Sequence, residues 1–242
     1  MYHARTEASR IHHGRAVVGS GERHRQRRVN GLSTRIVDPT PATCILSRAP
    51  AHSSGGFMEA TTTSIPGVIV FTPRPYVDRR GFFSRTFDAA VARRVGIDPT
   101  AFVQDSVSRT AKGCIRGLHV RVGHGENKLV RCSAGAIYDV VVDLRPWSPT
   151  FRQWLSFDLD GDSQRSIYIP AGCAHGFQSL TEPADTSYRI NREHDPSEDL
   201  TIAYNDPELG VAWPLPVTVM SERDQTAPPL RLLGDELSAI RA

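Results

Sequence analysis

The sequence predicts an all-β domain, a barrel or sandwich with a few short peripheral helices. Three observations point there. Short β-rich runs follow one another from Ile65 onward, Gly, Pro and Asp punctuate the gaps, and only Asp88 to Val95 carries a helical pattern. A parallel α/β sheet would need a crossover helix between successive strands, and the chain has no room for them. At 242 residues and 39% apolar content, it can bury one substantial core.

In chain order, residues 1 to 57 hold nine Arg but three acidic residues, and their scattered apolar positions follow neither helical nor strand periodicity. That stretch is expected to be a disordered N-terminal extension, with Met58, at the composition shift, as the natural first residue and 58–242 as the folded domain. Strands are expected at Ile65 to Phe71, Ala101 to Ser108, Lys128 to Cys132, Ala136 to Leu144, Gln153 to Leu159 and Ser166 to Ile169. Three more follow at Gly176 to Leu180, Thr186 to Ile190 and Thr201 to Tyr204. Asp88 is the N-cap of the single early helix. Pro214 to Pro229 and the last dozen residues form a tail with a short helix packed outside.

Beyond Phe57 the chain has 20 basic and 23 acidic residues, so the sequence pI near 8.8 is a property of the N-terminal stretch. A nucleic-acid binder would concentrate basic residues in its folded part, so that class is set aside. Cys44, Cys114, Cys132 and Cys173 fall at wide intervals without a C-x-x-C pair, which fits free thiols in a reducing cytoplasm better than a disulfide framework or zinc knuckle. No run approaches the roughly 18 apolar residues of a membrane span.

Two segments resemble the paired motifs of the cupin jelly roll. In Pro170-Ala171-Gly172-Cys173-Ala174-His175, Pro and Gly make the turn that delivers His175 inward. The other motif should contain His-x-His, since alternate strand residues share a face and can grip one cation. Here it is His119-Val120-Arg121, and a guanidinium cannot ligate a metal. A substitute set of His119, His124, Glu126 and His175 is conceivable, but His124 and Glu126 fall in a Gly-flanked loop that reads as exposed. A lone strand His is ordinarily a packed residue. His119 differs in having Arg116 and Lys128 nearby, a cationic setting that would draw phosphate and favour a neutral imidazole able to act as a base.

The run Gln104-Asp105-Ser106 through Arg116-Gly117-Leu118-His119, then Lys128-Leu129-Val130-Arg131, resembles the dTDP-4-dehydrorhamnose 3,5-epimerase family. So do DRRGFF (Asp78 to Phe83), YDVVVDLR with SPTF (Tyr138 to Phe151), IPAGCAHGF (Ile169 to Phe177) and YNDPELGVAWP (Tyr204 to Pro214), collinear over roughly Ile65 to Leu230. The resemblance implies a cupin-type jelly-roll β-barrel, a homodimer, no metal or organic cofactor, and a dTDP-linked 4-keto-6-deoxyhexose as substrate. It also implies an acid-base epimerisation at C3 or C5, where the neighbouring C4 ketone acidifies the proton. By the same resemblance His119 is the base, Asp206 the carboxylate that holds its imidazole, and Tyr188 the acid on the opposite face. Lys128 would stabilise the enolate, Arg80 and Arg116 would bind the diphosphate, and Gln104 and His175 would line the sugar pocket. Read without the resemblance, Asp206 is a turn residue before Pro207, Tyr188 is a core residue and Lys128 an exposed strand lysine.

The chain departs from the family pattern in places. Glu193-His194 stand where a tyrosine pair is common, Ser106 replaces an Asn, Val120 replaces an aromatic, and Arg85 replaces an acid. The acid-base set is intact while its surroundings differ, the pattern expected of an epimerase acting at a single centre. A metal-dependent cupin enzyme and a catalytically inactive sugar-nucleotide binding module are the alternatives.

Overall fold

The computed structural model describes residues 57–241. The expectation of a disordered extension falls on residues outside the described ones, Phe57 excepted. Thirteen strands are present: β1 Met58–Thr62, β2 Ile69–Pro73, β3 Tyr76–Asp78, β4 Gly81–Phe83, β5 Gln104–Thr110, β6 Ile115–Arg121 and β7 Lys128–Ala134. They continue as β8 Ala136–Asp143, β9 Trp154–Asp160, β10 Ser166–Ile169, β11 Cys173–Ser179, β12 Ala184–Ile190 and β13 Asp199–Thr201. Helix α1 spans Ala89–Arg94, α2 Glu222–Gln225 and α3 Gly234–Ser238.

Two antiparallel sheets make the body, a six-stranded one in the order β1-β2-β10-β7-β12-β5 and a five-stranded one in the order β13-β6-β11-β8-β9. Strands distant in sequence thus become neighbours, as in a jelly roll. Alternation builds the layers. Val130 and Cys132 on β7 point into the core that β8, β9 and β11 close from the other sheet with Ile137, Val141, Leu155, Phe157 and Phe177. Leu129, the residue before Val130, points outward and packs with Val91 and Ala92 of α1. The outer face of the five-stranded sheet is covered by the C-terminal segment through Leu230, Leu233, Leu237 and Ile240.

The expected all-β class holds, as does α1, whose N-cap Asp88 accepts from the backbone N–H groups of Ala90 and Val91. The strand expected from Ile65 starts at Ile69, because Val68 N donates to Ile65 O and the chain turns through Pro66 and Gly67 first. The β3–β4 hairpin and β1 carry no long apolar alternation and were not among the expected strands.

Candidate active site

The two sheets enclose a cavity of about 670 Å³ whose lining includes His119, Arg116, Lys128, His175, Tyr188 and Gln104. Six of the eight residues singled out in the sequence therefore converge on one space. His119 and His175 lie side by side on β6 and β11 of the five-stranded sheet, while Tyr188, Lys128 and Gln104 come from β12, β7 and β5 of the six-stranded one.

The Arg116-Gly117-Leu118-His119 run works through close backbone approach. Gly117 has φ +137, and a Cβ there would lie 2.5 Å from the Cα of Gly176. Only glycine lets β6 press against β11 at this point and bring His119 beside His175. On β11, the Pro170–Cys173 turn closes with Cys173 N donating to Pro170 O, and His175 follows as a buried side chain.

His119 Nε2 lies 2.7 Å from Asp224 Oδ1, and Asp224 Oδ2 accepts from the backbone N–H of Gly117. Burial pushes the Asp224 carboxyl up, but the hydrogen bond and charge of His119, with Gly117 and Ser221, outweigh it and hold the group below the usual range. With Nε2–H donated to this carboxylate, Nδ1 carries the free lone pair.

The expectation that Asp206 holds the imidazole is corrected. Asp206 Oδ1 accepts from the backbone N–H groups of Glu208 and Leu209, and Oδ2 from that of Leu230. All its bonds are spent fastening the loop after β13 to the C-terminal segment, the ordinary role of Asp before Pro. The imidazole's partner was missed because it sits in the tail. Its one local signal is the helix start Ser221-Glu222-Arg223-Asp224, where Ser221 Oγ accepts from Asp224 N.

Arg80 also lies apart from this cavity. It stands on the β3–β4 hairpin, its side chain 84% exposed and paired with Asp78, and it is not among the residues lining the cavity of its own chain. Arg116 does line it, with Nε donating to Thr110 Oγ1. Gln104 Nε2 donates to Ser106 Oγ, so the Ser that replaces the family's Asn belongs to the same wall.

Tyr188 Oη lies 2.9 Å from Ser108 Oγ, and burial pushes its phenol up to about 12, so it is protonated at neutral pH. His175 Nε2 lies 2.7 Å from Asp139 Oδ2, and complete burial pushes the Asp139 carboxyl up. Lys128 Nζ is 2.9 Å from Glu126 Oε1, and Arg121 Nη1 is 3.0 Å from Glu126 Oε2. Glu126 is therefore not the exposed loop residue expected, since its side chain is 8% exposed. His124 is exposed. With His124 in solvent and Glu126 engaged by two cations, the substitute metal set is not assembled in this geometry. Among the described residues no helix is long and apolar enough to cross a membrane.

This is a jelly-roll enzyme of the cupin type, with a cavity lined by ionisable side chains between its sheets. The chain belongs to the dTDP-4-dehydrorhamnose 3,5-epimerase family, whose sequence model matches residues 62–231. It is 43% identical over 169 residues to a dTDP-4-dehydrorhamnose 3,5-epimerase of Pseudomonas aeruginosa, covering 69% of this chain and 93% of that one. Among solved structures it is similar to a dTDP-6-deoxy-D-glucose-3,5-epimerase of Legionella pneumophila in complex with dTDP-4-keto-L-rhamnose, at TM-score 0.71 and 39% identity, covering 76% of this chain and 98% of that one. A 4-keto-6-deoxy sugar epimerase from the novobiocin biosynthetic gene cluster of Streptomyces spheroides matches at TM-score 0.71 and 34% identity, covering 77% and 94%.

Proposed function

We propose that the protein epimerises a dTDP-linked 4-keto-6-deoxyhexose, with His119 oriented by Asp224 as base and Tyr188 as acid. The observation that carries the reading is the placement of His119 and Tyr188 on opposite sheets facing one cavity. Inversion requires a proton to leave one face of a carbon and another to arrive on the other face. A base and an acid on the same wall could not do that.

The ketone at C4 acidifies the protons on C3 and C5. His119 takes one, and the electron pair moves onto the ketone oxygen as an enolate. Lys128, in a largely enclosed wall, stabilises the developing charge. The Tyr188 phenol then delivers its proton to the opposite face, the enolate collapses to the ketone, and the cycle closes as His119 releases its proton to solvent and Tyr188 regains one from it. Arg116 offers its guanidinium to the diphosphate.

The homodimer is supported by two apolar surfaces. The hairpin exposes Tyr76, Val77, Phe82 and Phe83, and β5, an open sheet edge, exposes Val107, with Val103 exposed just before it. A second copy of the chain would cover both, and Arg80, outside its own cavity, would then serve the diphosphate in the partner's. A cytoplasmic site is supported by free Cys114, Cys132 and Cys173. The single-centre scope rests on Glu193 and His194, which engage Arg121 through a backbone carbonyl and an imidazole rather than offering an aromatic face.

The test is NMR-detected exchange in deuterated water with dTDP-4-keto-6-deoxyglucose. Deuterium is expected on one carbon beside the ketone. Uptake at both C3 and C5 with the L-sugar formed would overturn the single-centre scope, and no uptake at either would overturn the function.

A further inference from the structure

Along one wall of the cavity, five charged side chains alternate in sign. Lys128 Nζ meets Glu126 Oε1 at 2.9 Å, and Glu126 Oε2 meets Arg121 Nη1 at 3.0 Å. Arg121 Nε meets Asp199 Oδ1 at 3.5 Å, and Asp199 Oδ2 meets Arg223 Nη1 at 3.4 Å. Arg223 precedes Asp224, the partner of His119. The first three are scarcely accessible, with side-chain exposures of 12% for Lys128, 8% for Glu126 and 4% for Arg121. The chain thus runs from the lysine proposed to face the enolate to the helix that orients the base.

Such an arrangement is a poor choice for stability alone, since desolvating buried ions costs as much as their attraction returns, and apolar side chains would do as well. Its geometry points the same way. Arg121 Nε and Glu126 Oε2 are buried without an aligned hydrogen bond, so these contacts act by charge rather than by direction. Glu126 divides its two oxygens between two cations. Lys128 is held in place by one oxygen, yet it is not fully neutralised, because Arg121 draws on the same carboxylate.

We propose that Glu126 and Arg121 are a positioning pair: Glu126 fixes the Lys128 ammonium against the cavity, and Arg121 tempers the carboxylate so that Lys128 keeps positive potential towards the substrate. This rests on the reading of Lys128 as the enolate's partner. Neither residue need touch the sugar.

The experiment uses the full chain and dTDP-4-keto-6-deoxyglucose, measuring kcat and KM for deuterium exchange in five variants. Lys128→Met is expected to lose about 100-fold to 1,000-fold in kcat, as for a missing oxyanion donor. Glu126→Gln leaves Arg121 and Lys128 without their shared counter-charge and is expected to lower kcat about 10-fold to 100-fold, with KM within about twofold. Arg121→Gln should lower kcat less. In E126Q/R121Q Lys128 is still without its anchor, but Arg121, which acts through Glu126, has nothing left to temper, so kcat should stay within about threefold of Glu126→Gln rather than fall by the product of the two single losses, the non-additivity expected of contacting residues. Glu126→Asp keeps the charge but falls one methylene short, and should fold normally while losing kcat. Should Glu126→Gln fail to fold, Glu126→Asp and Arg121→Gln decide the matter. Wild-type kcat in both Glu126 variants, a change confined to KM, or a double variant whose loss is the product of the two single losses would each overturn the proposal. If Lys128→Met exchanged at the normal rate, the role given to Lys128 would fall and the positioning pair with it. A dead Lys128→Met beside an unaffected Glu126→Gln would remove the pair alone.

Discussion

Two histidine-carboxylate pairs lie next to each other on neighbouring strands and have the same spacing, yet they sit in opposite electrostatic situations. His119 and Asp224 are 2.7 Å apart at the cavity, with the histidine side chain 37% exposed. His175 and Asp139 are also 2.7 Å apart, but at 6% and 0% exposure. Asp224 has further donors from Gly117 and Ser221 and is held low, whereas Asp139 has His175 alone and burial pushes it up. A base must keep a reachable lone pair and survive as an imidazolium during turnover, and only a firmly ionised carboxylate supports that. The paired strands therefore divide the work. On the proposed mechanism His119 is the one that exchanges protons, and His175 is fixed as part of the cavity wall.

The largest effect should come from breaking the outer pair. His119→Ala is expected to lower proton exchange roughly 100-fold to 10,000-fold, the range for losing a general base. Normal exchange in that variant would show that the base lies elsewhere. His175→Asn should exchange far faster than His119→Ala. Equal losses would mean that the two pairs are not divided in the way their exposure implies.

Next in size is the orienting carboxylate. A hydrogen bond to a charged group contributes about 1.5–3 kcal/mol, so Asp224→Asn should lose about 10-fold to 150-fold in kcat. Asp206→Asn is its control, because that side chain holds backbone N–H groups of Glu208, Leu209 and Leu230 instead. It should cost stability, about 1–3 kcal/mol for buried groups left unpaired, in denaturant unfolding, while the folded enzyme keeps its kcat. The opposite pattern would restore Asp206 as the imidazole's partner.

Tyr188→Phe comes third. Removing the phenol leaves His119 able to abstract and return a proton on its own face, so inverted product should fall more than deuterium uptake. Product formation and exchange followed in one NMR sample separate the two. An equal fall in both would place Tyr188 in the abstraction step instead.

Much of this was legible in the sequence, and the misses share a physical cause. Ser166–Ile169 stands where expected, and β7, β8, β9 and β12 agree to within two residues at each end, because their apolar alternation is local and strong. β6 was not among the expected strands because Gly117 and two arginines interrupt its pattern. Its glycine is there to let β6 approach Gly176, and Arg121 is buried by partners that arrive from other elements. Asp224 stands 105 residues along the chain from His119. No periodicity reports a contact of that span, so the motif-bearing Asp206 was favoured over the acid that geometry brings in. Glu126, in the loop before β7, reads as exposed for the same reason, since its burial depends on charges that only the folded wall assembles.

The smallest effect expected is a change of slope, and it tests the comparison from the side of stability. Asp224 is held low in the folded protein, so it contributes stability above the unfolded carboxyl's range, and that contribution is lost as pH falls through the folded value. Asp139 is raised, so the sign reverses. As pH rises past the unfolded carboxyl's range the unfolded chain gives up its proton first, and stability declines until the folded group ionises too. In denaturant titrations between about pH 3 and pH 7, Asp224→Asn should therefore flatten the loss of stability towards acid, whereas Asp139→Asn should steepen it. If both substitutions bent the curve the same way, the two carboxylates would share one environment, and the division between a working pair and a structural pair would fail at its root.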